Sequence, residues 1–163
     1  MKIEDGLKKV KYKVAAFYKF LSILDKDIFL IKENLSEFAK NNEIKGTVLI
    51  ASEGVNGTVC GSETAIAQFI QTLKQLLKIS DINVKYSLTE KQAFRRFKAR
   101  KKKEIVTIGL KQINPSKSVG RYIKACEWNE FLEDPDSVVI DTRNEYEIKI
   151  GNFAGALNPQ TSS

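Results

Sequence analysis

Residues 45–61 read KGTVLIASEGVNGTVCG, and this stretch stands between two segments with helical periodicity. Val48-Leu49-Ile50-Ala51 has the length and branched content of a buried strand. Asn56-Gly57 is the strongest short-range turn signal in the chain, because both residues tolerate positive φ. Thr58-Val59-Cys60 follows as a second apolar run and ends at Gly61. The spacing therefore predicts a β-hairpin in mid-sheet that turns at Asn56-Gly57.

The flanks decide what that hairpin joins. Lys13–Ile23 is apolar enough for a central strand. Asp25 or Asp27 is placed to cap a helix running to about Asn42, with Ile28, Ile31, Leu35, Phe38 and Ala39 on one face. After the hairpin, Ser62 is placed to cap a second helix, with Glu63 in its first turn. Its stripe is Ile66, Phe69, Ile70, Leu73, Leu76 and Leu77. Ile82, Val84 and Tyr86 then alternate with polar residues as a fourth strand. The order β-α-β-β-α-β is the split βαβ pattern of an α+β, ferredoxin-like fold.

Charge marks the next segment. The chain of 163 residues carries a net +7, yet Lys91–Lys124 alone holds twelve basic residues and one acidic, Glu104. A field this concentrated points to a polyanion, most often nucleic acid. Arg95, Arg96, Lys98, Arg100, Lys101, Lys102 and Lys103 are the candidate phosphate contacts, with the Asn56 amide as a further RNA contact. The competing reading of the run is a solvated charged face, and of Asn56 a purely structural turn. Phe94 and Phe97 are open to two readings, base stacking or packing against the sheet. The run reads as an extended basic arm leading into an added strand at Ile105–Ile108. Gly109–Gly120, with Asn114-Pro115, suits a linker.

A second unit begins near Arg121. Glu127–Leu132 reads as a short helix that buries Trp128, Phe131 and Leu132, and Pro135 stops it. Ser137–Asp141 has the form of a parallel strand ending in an acid. One helix, one strand and a loop cannot close a doubly wound domain, so the expectation is a piece of a longer chain.

The exclusions are as informative. There is no histidine, which removes imidazole acid–base chemistry, and two cysteines are too few for the usual zinc site. Cys60 and Cys126 form no CxxC pair, so reduced thiols are expected. Cys60 reads as a small buried residue. Cys126, at a helix start, has scope for a lowered thiol pKa but no recognisable base beside it. No apolar run approaches the ~18–20 residues that span a bilayer, so no membrane partner and a cytoplasmic setting are expected.

Three phrases in order, KGTVLIASEGVNGTVCG, FRRFKARKKKEIVTIG and EWNEFLEDPDSVVIDTRNEYEIKIGNFAGALNP, resemble the oxygen-dependent tRNA uridine hydroxylases, the TrhO family of rhodanese-domain proteins. The resemblance runs from about Tyr12 to the last residue. It implies an acylphosphatase-like domain (1–110), a linker (111–124) and the incomplete start of an α/β rhodanese domain (125–163). It also implies C5 hydroxylation of the wobble uridine of tRNA, with dioxygen as co-substrate and no other cofactor or metal evident. The family's catalytic cysteine lies in a rhodanese loop beyond this chain, which leaves no catalytic residue here. Asp141 and Arg143 match the rhodanese Asp-x-Arg and would support that loop, or simply tie the strand end to neighbouring backbone. Two other readings remain open: a rhodanese-type sulfurtransferase fragment, and a non-catalytic RNA-binding product of a truncated gene. Oligomeric state is not legible.

Overall fold

The computed structural model describes residues 12–105 and 120–160. They belong to two compact units divided between Ser118 and Val119.

The first unit is built in the order β1 (Tyr12–Phe20), α1 (Asp25–Asn41), β2 (Lys45–Ala51), β3 (Gly54–Gly61), α2 (Glu63–Leu77), β4 (Asn83–Thr89) and β5 (Phe97–Lys101). The strands form one sheet in the order β4-β1-β3-β2-β5. The first four pair antiparallel, and β5 adds parallel to β2. This is the ferredoxin-like arrangement with a fifth strand on one edge.

Strand alternation divides the sheet into two faces. Ala15 and Phe17 of β1, Val48 and Ile50 of β2, and Val55 and Val59 of β3 are buried. They meet Ile28, Ile31, Leu35 and Ala39 of α1 and Ile66, Phe69, Ile70 and Leu73 of α2 in one cluster. Both helical stripes read from the sequence are thus the faces that pack. Ser62 caps α2, its hydroxyl accepting from the Ala65 N–H.

Four expectations need correction. The hairpin turns at Ser52-Glu53, since Ala51 pairs with Gly54 and Val48 with Gly57. Asn56-Gly57 lies inside β3. A turn there would leave β3 only the four residues Thr58–Gly61, and the Val48–Ala51 run would have to pair with the capped start of α2. The earlier turn pairs all seven residues of β2. Gly57 is needed for contact instead: a Cβ on it would lie 2.7 Å from the Phe17 ring and 2.8 Å from the Thr47 carbonyl.

The second correction is at α1. Leu24 is its N-cap, in extended conformation and with no side-chain cap bond. Asp25 and Asp27 stand in the first turn, where a carboxylate still favours the helix dipole. The third is the basic arm, whose residues Phe97–Lys101 are themselves a strand. Of Ile105–Ile108, only Ile105 is among the described residues, buried and outside any strand.

The second unit is sparser. A 3-10 turn at Ala125–Glu127 leads into α3 (Trp128–Glu133), and α4 spans Glu145–Ile148. The fourth correction is Ser137–Asp141, which forms only a single parallel bridge, Ile140 to Leu157. Ile140 and Leu157 are exposed, so no second layer covers this bridge among the described residues. Leu132 is likewise exposed, while Trp128 stacks on Phe153 with ring centroids 5.1 Å apart.

Candidate functional site

The basic segment owes its shape to its apolar residues. Phe97 packs its ring on Phe69 at 6.0 Å, which draws the chain to the open edge of β2. Gly46–Ile50 then pair with Phe97–Lys101. Backbone bonds continue past both ends, from Gly46 N–H to the Arg96 carbonyl and from Lys102 N–H to the Ile50 carbonyl. Alternation puts Phe97 and Ala99 on the helix side and Lys98 and Arg100 on the side away from the helices. Arg96, one residue before the strand, borders a hollow with Ser36, Ala39 and Lys40 of α1.

Lys98 and Arg100 therefore share one face, and Arg96 stands close enough to act on the Lys98 charge. The Arg96 guanidinium, then Arg100, and last burial, hold the Lys98 ammonium below its usual pKa. Like charges at this spacing repel, and the arrangement persists because Phe97 and the β2 pairing hold it.

The other candidates divide. Lys101 bonds the Asp25 carboxylate at the start of α1, 2.6 Å from its Oδ1. Lys102 and Lys103 are exposed and, with Lys101 and Ser52, border a shallow hollow. Arg95 is exposed just ahead of the strand, and Phe94 is half-buried. Asn56 faces the side away from the helices, paired between Tyr18 and Leu49, and its amide donates to the Ile105 carbonyl at 3.3 Å. The Ile105 N–H in turn donates to Glu53 Oε1 at 2.7 Å. The signal that could have placed β5 was the Phe97-x-Ala99 alternation inside the charge run.

In the second unit, Arg143 grips Asp141. Its Nε lies 2.9 Å from Oδ1 and its Nη2 2.6 Å from Oδ2, while Nη2 also donates to the Gly151 carbonyl at 2.7 Å. This tie borders an open cleft of about 470 Å³ with the Trp128–Phe153 stack. The Arg143 side chain, foremost by these hydrogen bonds, holds the Asp141 carboxyl below its ordinary pKa, against the opposing effect of burial. The same pairing raises the guanidinium pKa.

A depressed folded-state pKa gives stability that is present above the ordinary carboxylate value and is lost as pH falls through the folded value. The Asp141 carboxyl carbon, followed by NMR, is expected to titrate below the ordinary ~3.9 and to move up toward it in Arg143→Gln. An unchanged midpoint in the variant would show that Arg143 does not hold the carboxylate.

Neither cysteine joins these residues. Cys60 is buried in β3, and Cys126 is exposed in the 3-10 turn. Among the described residues no cluster of ligating side chains could hold a metal ion, and no helix is long and apolar enough to cross a membrane.

Residues 12–105 match the UPF0176 acylphosphatase like domain, which covers the whole first unit as described. The chain belongs to this family. Several relatives that match it over most of its length share one name. A protein of Prochlorococcus marinus (strain NATL2A) called tRNA uridine(34) hydroxylase is 78% identical over all 163 residues, which are 51% of its own length. Relatives of the same name from Prochlorococcus marinus (strain MIT 9303) and Synechococcus sp. (strain CC9605) are 48% and 47% identical. Each is matched over 92% of this chain, and over 48% and 47% of its own length respectively. The chain spans about half the length of the curated relatives it matches.

Proposed function

We propose that this chain supplies the tRNA-binding portion of an enzyme that hydroxylates the wobble uridine of tRNA at C5 with dioxygen, in the cytoplasm. The observation that carries the RNA reading is the face shared by Lys98 and Arg100 on the edge strand, with Arg95 and Arg96 before the strand and Lys102 and Lys103 after it. Strand pairing holds these cations in a fixed row, so binding phosphates costs little ordering of the backbone. The names of the relatives support the tRNA and hydroxylase parts of the reading. Hydroxylation is assigned to a cysteine outside these 163 residues, and the buried Cys60 suits a structural role. Asp141 and Arg143 are assigned a supporting role, shaping the cleft from which a rhodanese-like active loop would work.

The test is tRNA binding across a salt series, for the chain as it stands and for Arg96→Gln/Lys98→Gln/Arg100→Gln. Each lost phosphate contact lowers the slope of log K against log salt by about 0.7–0.9. The triple variant is expected to lose about two units of slope and at least about tenfold in affinity at low salt. Equal slopes for the two proteins would overturn the assignment of RNA binding to this strand.

A further inference from the structure

Three basic residues meet where α1 ends and β2 and β5 begin, and only Arg96 among them belongs to the charge run. Lys40 stands in the last turn of α1, Lys45 opens β2, and Arg96 immediately precedes β5. With Glu43 they rim a hollow of about 350 Å³, whose apolar lining is Ala39, Ile44 and Phe97. Backbone bonds hold the three segments in place. The Asn42 N–H donates to the Phe38 carbonyl and the Ile44 N–H to the Ala39 carbonyl, with Glu43 between them in the left-handed region at φ +54. The chain thereby leaves the helix and enters β2, so that Lys45 lines the same hollow as Lys40. The Gly46 N–H donates to the Arg96 carbonyl at 3.1 Å. Gln92 Nε2 donates to the Cys60 carbonyl at 3.3 Å and to the Glu43 carbonyl at 3.5 Å, which ties the approach to β5 to the same turn. Charge at the hollow is out of balance. Three cations stand against the one carboxylate of Glu43, and among the described residues none of the four makes an ion pair. At the other end of β5, by contrast, Lys101 is paired with Asp25.

Resting on the RNA reading above, we infer that this hollow is a site for one backbone phosphate of RNA, held by Lys40 and Lys45 together with Arg96. Unpaired like charges raise the local potential, and an anion entering between them relieves their repulsion. The apolar lining lowers the local dielectric and strengthens that attraction. The carbonyls of Phe38 and Ala39, which at a helix end would oppose an anion, already accept hydrogen bonds. Each cation stands on backbone that is already tied, so binding orders only side chains. A backbone phosphate suits the place better than a free one. The hollow has room for a sugar beside the phosphate, and it continues into the β5 cations. Lys98 follows Arg96 by two residues, about 6–7 Å along the strand, so one RNA strand reaches the hollow and β5 together.

The experiment uses the whole chain and an oligouridine about eight nucleotides long, without terminal phosphates. Binding is measured across a salt series for the unaltered protein, Lys40→Gln/Lys45→Gln, Glu43→Gln and Lys98→Gln/Arg100→Gln. The Lys40/Lys45 variant is expected to lose about 0.7–0.9 of salt slope, one phosphate, and at least about fivefold in affinity at low salt. Glu43→Gln removes the opposing carboxylate and is expected to bind about two- to fivefold more tightly, a gain that a damaged fold would not produce. In the unaltered protein the oligouridine should shift the Arg96 Nε–H signal in NMR, a readout that needs no variant to fold. Inorganic phosphate and uridine monophosphate, at equal phosphate concentration, are expected to leave that signal nearly still. An equal shift by either would mark a site for a free or terminal phosphate and overturn the backbone assignment. Unchanged slope and affinity in Lys40→Gln/Lys45→Gln would overturn the hollow, and a loss confined to Lys98→Gln/Arg100→Gln would leave only the β5 reading standing. If the unaltered protein binds neither the oligouridine nor tRNA at low salt, both readings fall.

Discussion

Phe69→Ala is expected to lower the stability of the first unit by about 3–5 kcal/mol. Phe69 is fully buried on α2 and is the meeting point of four aromatic rings. Its centroid lies 6.2 Å from Phe17 of β1, 6.1 Å from Phe38 of α1 and 6.0 Å from Phe97 of β5. Truncation therefore loosens both helices and two strands at once, and no single neighbour can move to fill the space. The loss exceeds the usual area term because tilted and edge-to-face pairs add about 0.5–1.5 kcal/mol each. Thermal denaturation followed by far-UV circular dichroism should show the midpoint fall by more than about 12 °C for a unit of this size. A fall under about 4 °C would mean that the site collapses around alanine and that the cluster is not the keystone described. The same variant should weaken tRNA binding, because Phe97 aligns the cations of β5 against Phe69.

Gly54→Ala is expected to cost about 3 kcal/mol or more, through backbone geometry and crowding together. Gly54 opens β3 with φ +147, a conformation that side-chain-bearing residues rarely adopt. A Cβ there would lie 2.1 Å from the Lys19 carbonyl oxygen and 3.0 Å from the Phe20 Cα, both backbone atoms of β1. Neither can swing aside as a side chain could. The hairpin tip is also fastened to the β1–α1 connection, by Leu21 N–H to the Glu53 carbonyl and Ile23 N–H to the Ser52 carbonyl, each at 2.9 Å. Displacing Gly54 strains those bonds as well. Urea denaturation at constant m-value measures the effect, and a midpoint within error of the unaltered protein would rule out this account of the hairpin.

The two helices were legible because each satisfies a single periodicity. Ile66, Phe69, Ile70 and Leu73 recur at helical spacing, and Ser62 supplies a cap whose geometry is local. The existence of four strands was legible for the same reason, and with it the ferredoxin-like order. The turn of the hairpin was not. Asn56-Gly57 is the better local turn sequence, but seven cross-strand pairs and a ring needing room beside Gly57 outweigh one turn preference. Likewise the caps at Asp25 and Asp27 are good local chemistry overridden by a backbone that enters the helix at Leu24.

The candidate site divides along the same line. Density of charge from Lys91 to Lys103 is a property of composition, and the expectation of a polyanion partner rests on it with no help from the fold. Which of those cations face one way is a property of pairing. Phe97 finds Phe69 from 28 positions away, β5 settles parallel to β2, and only then do Lys98 and Arg100 share a face while Lys101 turns to Asp25. Local periodicities and total charge are written in neighbouring residues and need no partner to be read. Register, edge and facing are fixed by contacts between residues far apart in the chain, so they came into view only with the tertiary structure.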